Sequence, residues 1–290
     1  MPAQTVQYHQ LNLISPTAKF PDPMQLNSAF TASEAHIEKL ATYVINLDRS
    51  PERLSTISAR LAALGIKFTR IPAVDAQRLT PAQSSALDEE TYKLKHGKTP
   101  LLGELGCYLS HVETINAFIE SGAEFALILE DDTTPTESLI PALQGLIAHA
   151  DRWDMVKFSG VHSGTPQPYL EVCPGHWLSV MLTRCTGSSA YLINRKAALA
   201  YRSSLLPMEL PYDHVFDQGW RFGIKVRLLS PTPCIHDDIT ETTIVSTGPS
   251  RKFHWSRRFP MLRYRLKTEL RRLVYGISET VREKRASNAG

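Results

Sequence analysis

The stretch ATYVINLDRSPERLSTISARLAALGIKFTRIPAVDA, residues 41–76, decides the fold. Tyr43 to Leu47 is a compact apolar run of strand length. Ser50-Pro51 then offers an N-cap residue and a proline at the first helical position, where its missing N–H is not needed. Leu54, Ile57, Leu61 and Leu64 recur at helical spacing until Gly65 stops the helix, and Phe68 to Ile71 forms a second strand. Strand, helix and strand in this order predict a parallel pair joined by a right-handed crossover.

The same alternation continues downstream. Leu105, Tyr108, Leu109, Val112, Ile115 and Ile119 share one face of a helix expected from Glu104 to about Glu120. Gly122 ends that helix, and the run FALILEDDTTP (125–135) follows as a strand. Further strands are expected at Met155–Phe158, Leu178–Leu182, Ala190–Ile193 and Lys225–Leu229, with helices at Lys196–Ser204 and Asp213–Phe222. An α/β sandwich accounts for this order. Residues 1–38 show no sustained period and are expected to form an arm, 39–250 the main domain, and 251–290 a helix and tail.

Composition narrows the class. The 290 residues include 42% hydrophobic and 21% charged side chains, as in ordinary globular proteins. Cys107, Cys173, Cys185 and Cys234 form no CxxC pair, which favours a reducing compartment over a zinc or disulfide framework. No leader-like opening and no apolar run near the roughly 20 residues of a membrane span are present, so a soluble cytoplasmic protein is expected.

The net charge of +3 conceals an asymmetry. Between Arg251 and Arg285 there are 12 Lys/Arg against 3 Glu, so the rest of the chain carries −6. Phe259, Leu262, Leu266, Leu270, Leu273, Ile277 and Val281 step by three or four, with Arg258, Arg263, Arg265, Lys267, Arg271 and Arg272 between them. That pattern is a basic amphipathic helix, either packed on its own domain or lying peripherally on an anionic membrane surface. An acidic body without a recognisable reading module argues against nucleic acid as partner.

In open α/β sheets ligands gather beyond the carboxyl ends of strands, and there the chain places Glu130, Asp131 and Asp132 in succession. Carboxylate oxygens suit Mg²⁺ or Mn²⁺, although an acidic turn before a helix would use the same residues. Asn46, Arg49 and Arg53 follow the first strand and open a helix, where free backbone N–H groups favour anions. LLGELGCYLSH (101–111) sets Glu104, Ser110 and His111 in an otherwise apolar helix, and LPYDHVFDQGW with PCIHDD adds Asp213, Asp217, His236 and two further aspartates.

Together the blocks VINLDRSPER, RIPAVDA, GELGCYLSH, LILEDD, WDMVKFSG and GSSAYLINRKAA resemble glycosyltransferase family 25 across about residues 42–246. The family includes lipooligosaccharide and collagen galactosyltransferases. The resemblance implies a GT-A-like nucleotide-sugar transferase fold, a central mostly parallel sheet flanked by helices. It implies transfer of a hexose, usually galactose, from a UDP-sugar to a saccharide acceptor such as a lipooligosaccharide core, with inversion. Asp132 and Glu130 then stand nearest a Mn²⁺ or Mg²⁺ ion, with His236 as a distant ligand and Asp131 close behind. Asn46, Arg49, Arg53, Val74 and Asp75 fall on the nucleotide side, and Glu104, Ser110 and His111 near the donor. Inverting transfer needs one general base; Asp213 is the first candidate and Asp217 the reserve. Where the family often has a second glycine, this chain has Ser188-Ser189-Ala190. The rival readings are a metal-dependent phosphohydrolase and a silent sugar-nucleotide-binding protein.

Overall fold

A computed structural model of the chain describes residues 39–236 and 259–288. The expected arm, Asp237 and Asp238, and the start of the basic tail lie outside the described residues. The first half contains β1 (Leu40–Asn46), α1 (Pro51–Ala63), β2 (Thr69–Pro72), α2 (Pro81–Ser84), α3 (Glu89–His96), α4 (Leu102–Ser121), β3 (Phe125–Glu130) and β4 (Thr133–Pro135). It continues with α5 (Leu139–Ala148), β5 (Met155–Lys157), β6 (Pro166–Cys173), β7 (His176–Met181), β8 (Ala190–Asn194) and α6 (Arg195–Ser204). Two single-turn helices, α7 (Tyr212–Val215) and α8 (Gly219–Phe222), precede β9 (Val226–Ser230) and β10 (Cys234–His236). The helix α9 (Phe259–Asn288) closes the described chain.

The opening stretch folds as its pattern predicts. Pro51 stands at the first helical position of α1, although Ser50 makes no side-chain cap, and Gly65 turns out of the helix at φ +70°. β1 pairs in parallel with β2 on one side and β3 on the other. The strand order of the eight-stranded sheet is β2-β1-β3-β8-β5-β9-β7-β6. The parallel arrangement holds for β2-β1-β3 and for β5-β9; β8, β7 and β6 pair antiparallel, so the sheet is mixed. A two-residue turn ending at Gly175, φ +76°, links β6 and β7 as a hairpin, which can only be antiparallel. β10 pairs with β4 in a separate small ribbon.

Both faces of the sheet are covered, which is why its central strands read as unbroken apolar runs. Tyr43, Ile45, Ala126 and Ile128 point into a core with α4 and α6, while Val44, Leu127 and Leu129 point into a second core with α1 and α5. The two cores anchor the strand ends from which the cleft is built.

One expectation changes. The helix expected over Asp213–Phe222 breaks into α7 and α8 at residues 216–218, and Gly219, the first residue of α8, packs against Ile224 O and the Tyr275 hydroxyl, where a Cβ would come within 2.7 and 2.5 Å. Of the two readings left open for the C-terminal helix, packing on its own domain is seen: α9 packs on α3, α8, β6 and β7. It does so through its polar residues. Arg227 of β9, fully buried, donates to Glu279 and Glu283 at 2.7 Å each and to the Tyr169 hydroxyl at 2.9 Å. Arg272 of α9 reaches Asp217 with bonds of 2.9 and 3.2 Å.

Candidate functional site

The sheet brings strand ends of opposite polarity to one edge. β3 leaves the sheet at Glu130 while the antiparallel β8 enters beside it, with Leu129 opposite Ala190. The Glu130 N–H donates to Ser189 O at 2.8 Å, so the Gly187–Ser189 segment lies against the end of β3. β5 runs out at the same edge, and with α7 and the approach to β10 the ends enclose a cleft of about 730 Å³. Its lining includes Glu104, Cys107, Glu130, Ser188, Asp213 and His214. That volume suits a small-molecule ligand.

Glu130 is held from two sides. Its Oε1 accepts from Ser188 Oγ at 3.0 Å and lies 3.2 Å from His111 Nε2. His111 Nδ1 lies 3.0 Å from the Tyr191 hydroxyl, which in turn lies 3.0 Å from that of Tyr212. A carboxylate only accepts, so Nε2 carries the imidazole proton and Nδ1 accepts from Tyr191. The ring stacks on Tyr212 at 4.1 Å and 2°. Within the Ser188-Ser189-Ala190 segment, Ser188 therefore has a task of its own. Tyr191 and Tyr212 went unmarked in the sequence because an aromatic in an apolar strand or turn reads as core.

The other acidic positions divide. Asp131 turns inward: Asn46 Nδ2 donates to it at 2.7 Å and Arg53 at 3.1 Å. Burial raises its pKa, opposed by the bond from Asn46 and the Arg53 charge. Asp132 Oδ2 stands 4.0 Å from Arg53. β3 ends at Glu130, so strand alternation does not govern the two aspartates; the turn after it does. Asn46 is itself occupied by Asp131, by Ser50 O and by Arg70 Nε. Arg49 pairs with Asp75, whose carboxyl that bond holds below the usual range, helped by the Gln77 N–H. These residues lie near the carboxyl ends of the parallel strands and in the loop after β2, and they bind one another.

The helix block also divides. Glu104 lines the cleft while accepting from the Tyr92 hydroxyl at 2.6 Å and the Leu101 N–H at 2.9 Å. Ser110 does not face the cleft: it accepts from the Val74 N–H at 2.8 Å and donates to Gly106 O at 2.7 Å. A Cβ at Gly106 would stand 2.6 Å from Val74 O, so glycine lets α4 pass directly beneath the loop carrying Asp75. Ser110 and Val74 thus position the loop that carries Asp75.

Asp213 lines the cleft, its Oδ2 accepting from the Gly187 N–H at 3.2 Å. Fully buried Lys157 fixes that segment by donating to Cys185 O at 2.6 Å and Gly187 O at 2.5 Å. Asp217, the reserve base, has a different role: it is 2% exposed and bound to Arg272, so it cannot meet an acceptor hydroxyl.

Two histidines flank Asp213. Burial pulls His214 below its ordinary 6.5 against the opposing pull of Asp213. Burial, with the charges around it, lowers His96 to about 3. A histidine neutral in the fold but protonated in the unfolded chain removes stability as pH falls below 6.5, down to the folded value. For His96 the loss between pH 7 and pH 5 is about 2 kcal/mol. Urea titrations at those two pH values should show a smaller acid loss in His96→Gln than in the wild type; equal losses would contradict the assignment.

The cation implied by the resemblance fits the donors. Glu130 and Asp132 supply hard oxygens at one strand end, and the backbone register of β10 sets His236 opposite Thr133, next to Asp132. A second set, unmarked in the sequence, gathers Cys107, His111 and Glu130 with ligand atoms within 4.8 Å of one another. The i, i+4 spacing of Cys107 and His111 on α4 was its available signal. Burial holds the Cys107 thiol protonated, reinforced by the fields of Glu130, Asp213, Asp132 and Glu104, and both nitrogens of His111 are engaged. The carboxylates are the better donors.

Known proteins agree with the blocks read above. The family model described as glycosyltransferase family 25 (LPS biosynthesis protein) matches residues 39–216. A glycosyltransferase 25 family member of Anopheles gambiae is 28% identical over 130 residues, 40% of this chain and 21% of that protein. Human procollagen galactosyltransferase 2 is 27% identical over 151 residues, 49% of this chain and 22% of that one. Procollagen galactosyltransferase 1-B of Xenopus laevis is 25% identical over 283 residues, 87% of this chain and 44% of its own. The aligned part of this chain spans about a fifth of the length of the first two relatives.

Proposed function

Because the chain belongs to glycosyltransferase family 25, we propose that it moves a hexose, galactose, from a UDP-sugar to a saccharide hydroxyl, with a divalent cation and inversion at the anomeric carbon. The observation that carries this reading is that Glu130 and Asp213 line one cleft at the carboxyl edge of the parallel strands. The printed names of the human and Xenopus relatives support galactose. The family description supports a lipopolysaccharide-type acceptor such as a lipooligosaccharide core.

In this mechanism Asp213 takes the proton of the acceptor hydroxyl as its oxygen attacks the anomeric carbon. The bond from that carbon to the diphosphate breaks on the opposite side, and UDP leaves with the electron pair. The Gly187 N–H holds one oxygen of Asp213 and so sets the direction of its approach. Glu130 faces the donor, steadied by His111 and Ser188. Glu130 and Asp132, with His236 nearby in the backbone register, would hold Mn²⁺ or Mg²⁺, which when bound stabilises the charge developing on the diphosphate. Arg53 and Arg49 would exchange their present carboxylate partners for phosphate or ribose oxygens.

A panel of UDP-sugars with and without Mn²⁺, scored for acceptor-dependent UDP release, tests the reading. UDP-galactose with Mn²⁺ should turn over fastest, and Asp132→Ala should lower the rate by about tenfold to a hundredfold. Equal rates in both proteins would remove Asp132 from the cation site. UDP release independent of any acceptor would replace transfer with hydrolysis.

A further inference from the structure

The helix α9 is amphipathic in the reverse of the usual sense. Its inward face carries Arg272, Tyr275, Glu279 and Glu283, bound to Asp217, Ile224 O and Arg227. Gly276 sits there too, where a Cβ would come within 2.7 Å of Met181 O. Its outward face carries Phe259, Leu262, Leu266, Leu270, Leu273, Val274, Ile277 and Val281, each 40 to 72% exposed. At a rise of 1.5 Å per residue this apolar stripe runs for about 33 Å. The buried ion pairs fix the rotation of the helix, so the stripe cannot turn inward. An exposed apolar band of this extent marks an interaction surface.

Charge indicates what covers it. Arg263, Lys267 and Arg271 follow one another four residues apart along one edge of the stripe, and all three are exposed. The glutamates of the helix do not offset them: Glu279 and Glu283 are buried against Arg227, and Glu269 lies 3.8 Å from Arg272. Beside that edge runs a groove of about 1030 Å³, with Trp220, Leu266 and Leu270 among its apolar residues; Glu209 in its wall pairs with Lys95 and Arg221, so its net positive charge comes mainly from Arg263, Lys267 and Arg271. A second copy of the chain laid on this face would set cations against cations.

We infer that α9 lies in the headgroup region of an anionic lipid bilayer, its apolar stripe in the acyl boundary and its cationic row on lipid phosphates. No described helix is long and apolar enough to cross the membrane, so the attachment is peripheral. The surface also adjoins the cleft: Lys95 borders the groove and the next residue, His96, lines the cleft, with Tyr264 and Arg265 of α9 around the small cavity between them. Resting on the sugar-transfer reading, this makes the acceptor a saccharide carried on a lipid of the same membrane, entering past His96 and His214.

The test is co-sedimentation of the full chain with vesicles of equal parts phosphatidylglycerol and phosphatidylcholine, or of phosphatidylcholine alone. The wild type should bind the anionic vesicles at least about tenfold tighter, with the difference lost at high salt. Leu266→Gln, Leu270→Gln and Ile277→Gln together should weaken that binding at least about tenfold. These positions are exposed, so turnover of a water-soluble acceptor should not change. A wild type left in the supernatant, or a triple variant that binds as well, overturns the inference. So does a concentration-dependent dimer that the same substitutions abolish in protein that ignores vesicles. Vesicle binding without any sugar transfer would leave the membrane surface standing and remove the transfer reading; transfer to a soluble acceptor without vesicle binding would do the reverse.

Discussion

An Asp213→Asn protein should turn over its acceptor about 10² to 10⁴ times more slowly than the wild type, with donor affinity little changed. Asparagine keeps the shape of the side chain and an oxygen that can accept from the Gly187 N–H, as Asp213 Oδ2 does at 3.2 Å, so the cleft should stay intact. What it loses is the capacity to take a proton. The slowing belongs in kcat, because the interaction removed forms only as the acceptor oxygen attacks. A variant within a few fold of wild type would remove Asp213 as base. Asp217 could not replace it, being closed in by Arg272.

Arg227→Met should destabilise the fold by about 3–5 kcal/mol. The arginine is fully buried, and its removal takes a 2.7 Å partner from each of the buried Glu279 and Glu283, leaving them only Arg282 and Arg152 at the margin of the cluster. For a domain of this size that is a drop of roughly 10 °C or more in melting temperature, readable by calorimetry. The decisive comparison is Arg227→Met with Glu279→Leu and Glu283→Leu. Replacing the fully buried members of a charge cluster together is often neutral or stabilising, and the remaining partners Arg152 and Arg282 reach solvent, so the triple variant should recover most of the loss. A single variant as stable as the wild type would mean that α9 is held by something other than these pairs.

The sequence made the β-α-β opening legible because each signal there is local: an apolar run, a proline at the helix start, a glycine at its end. The helix α4 was legible for the same reason, with eleven buried residues on a regular period. At Glu130 the pattern placed a carboxylate at a strand end that lines the cleft, but strand alternation could not assign Asp131 and Asp132, because the strand stops one residue earlier. Ser110 and Asn46 read as ligand contacts, yet both are spent on the scaffold, a distinction set by residues 24 to 85 positions away. The orientation of α9 was the least legible. Its apolar stripe suggests an inward face, but two buried charges, Arg227 and Asp217, lie on the body and can be satisfied only by the polar side of the helix.

That arrangement orders events as the protein is made. Arg227 enters the growing chain 52 residues before Glu279 and 56 before Glu283. Closing β9 between β5 and β7 before those glutamates arrive would trap a guanidinium in the interior without its counter-charges. The later-made helix therefore licenses a strand synthesised well before it. A polypeptide released by the ribosome short of Glu283 would carry an unfinished sheet, open to proteolysis at the very edge that later bounds the cleft.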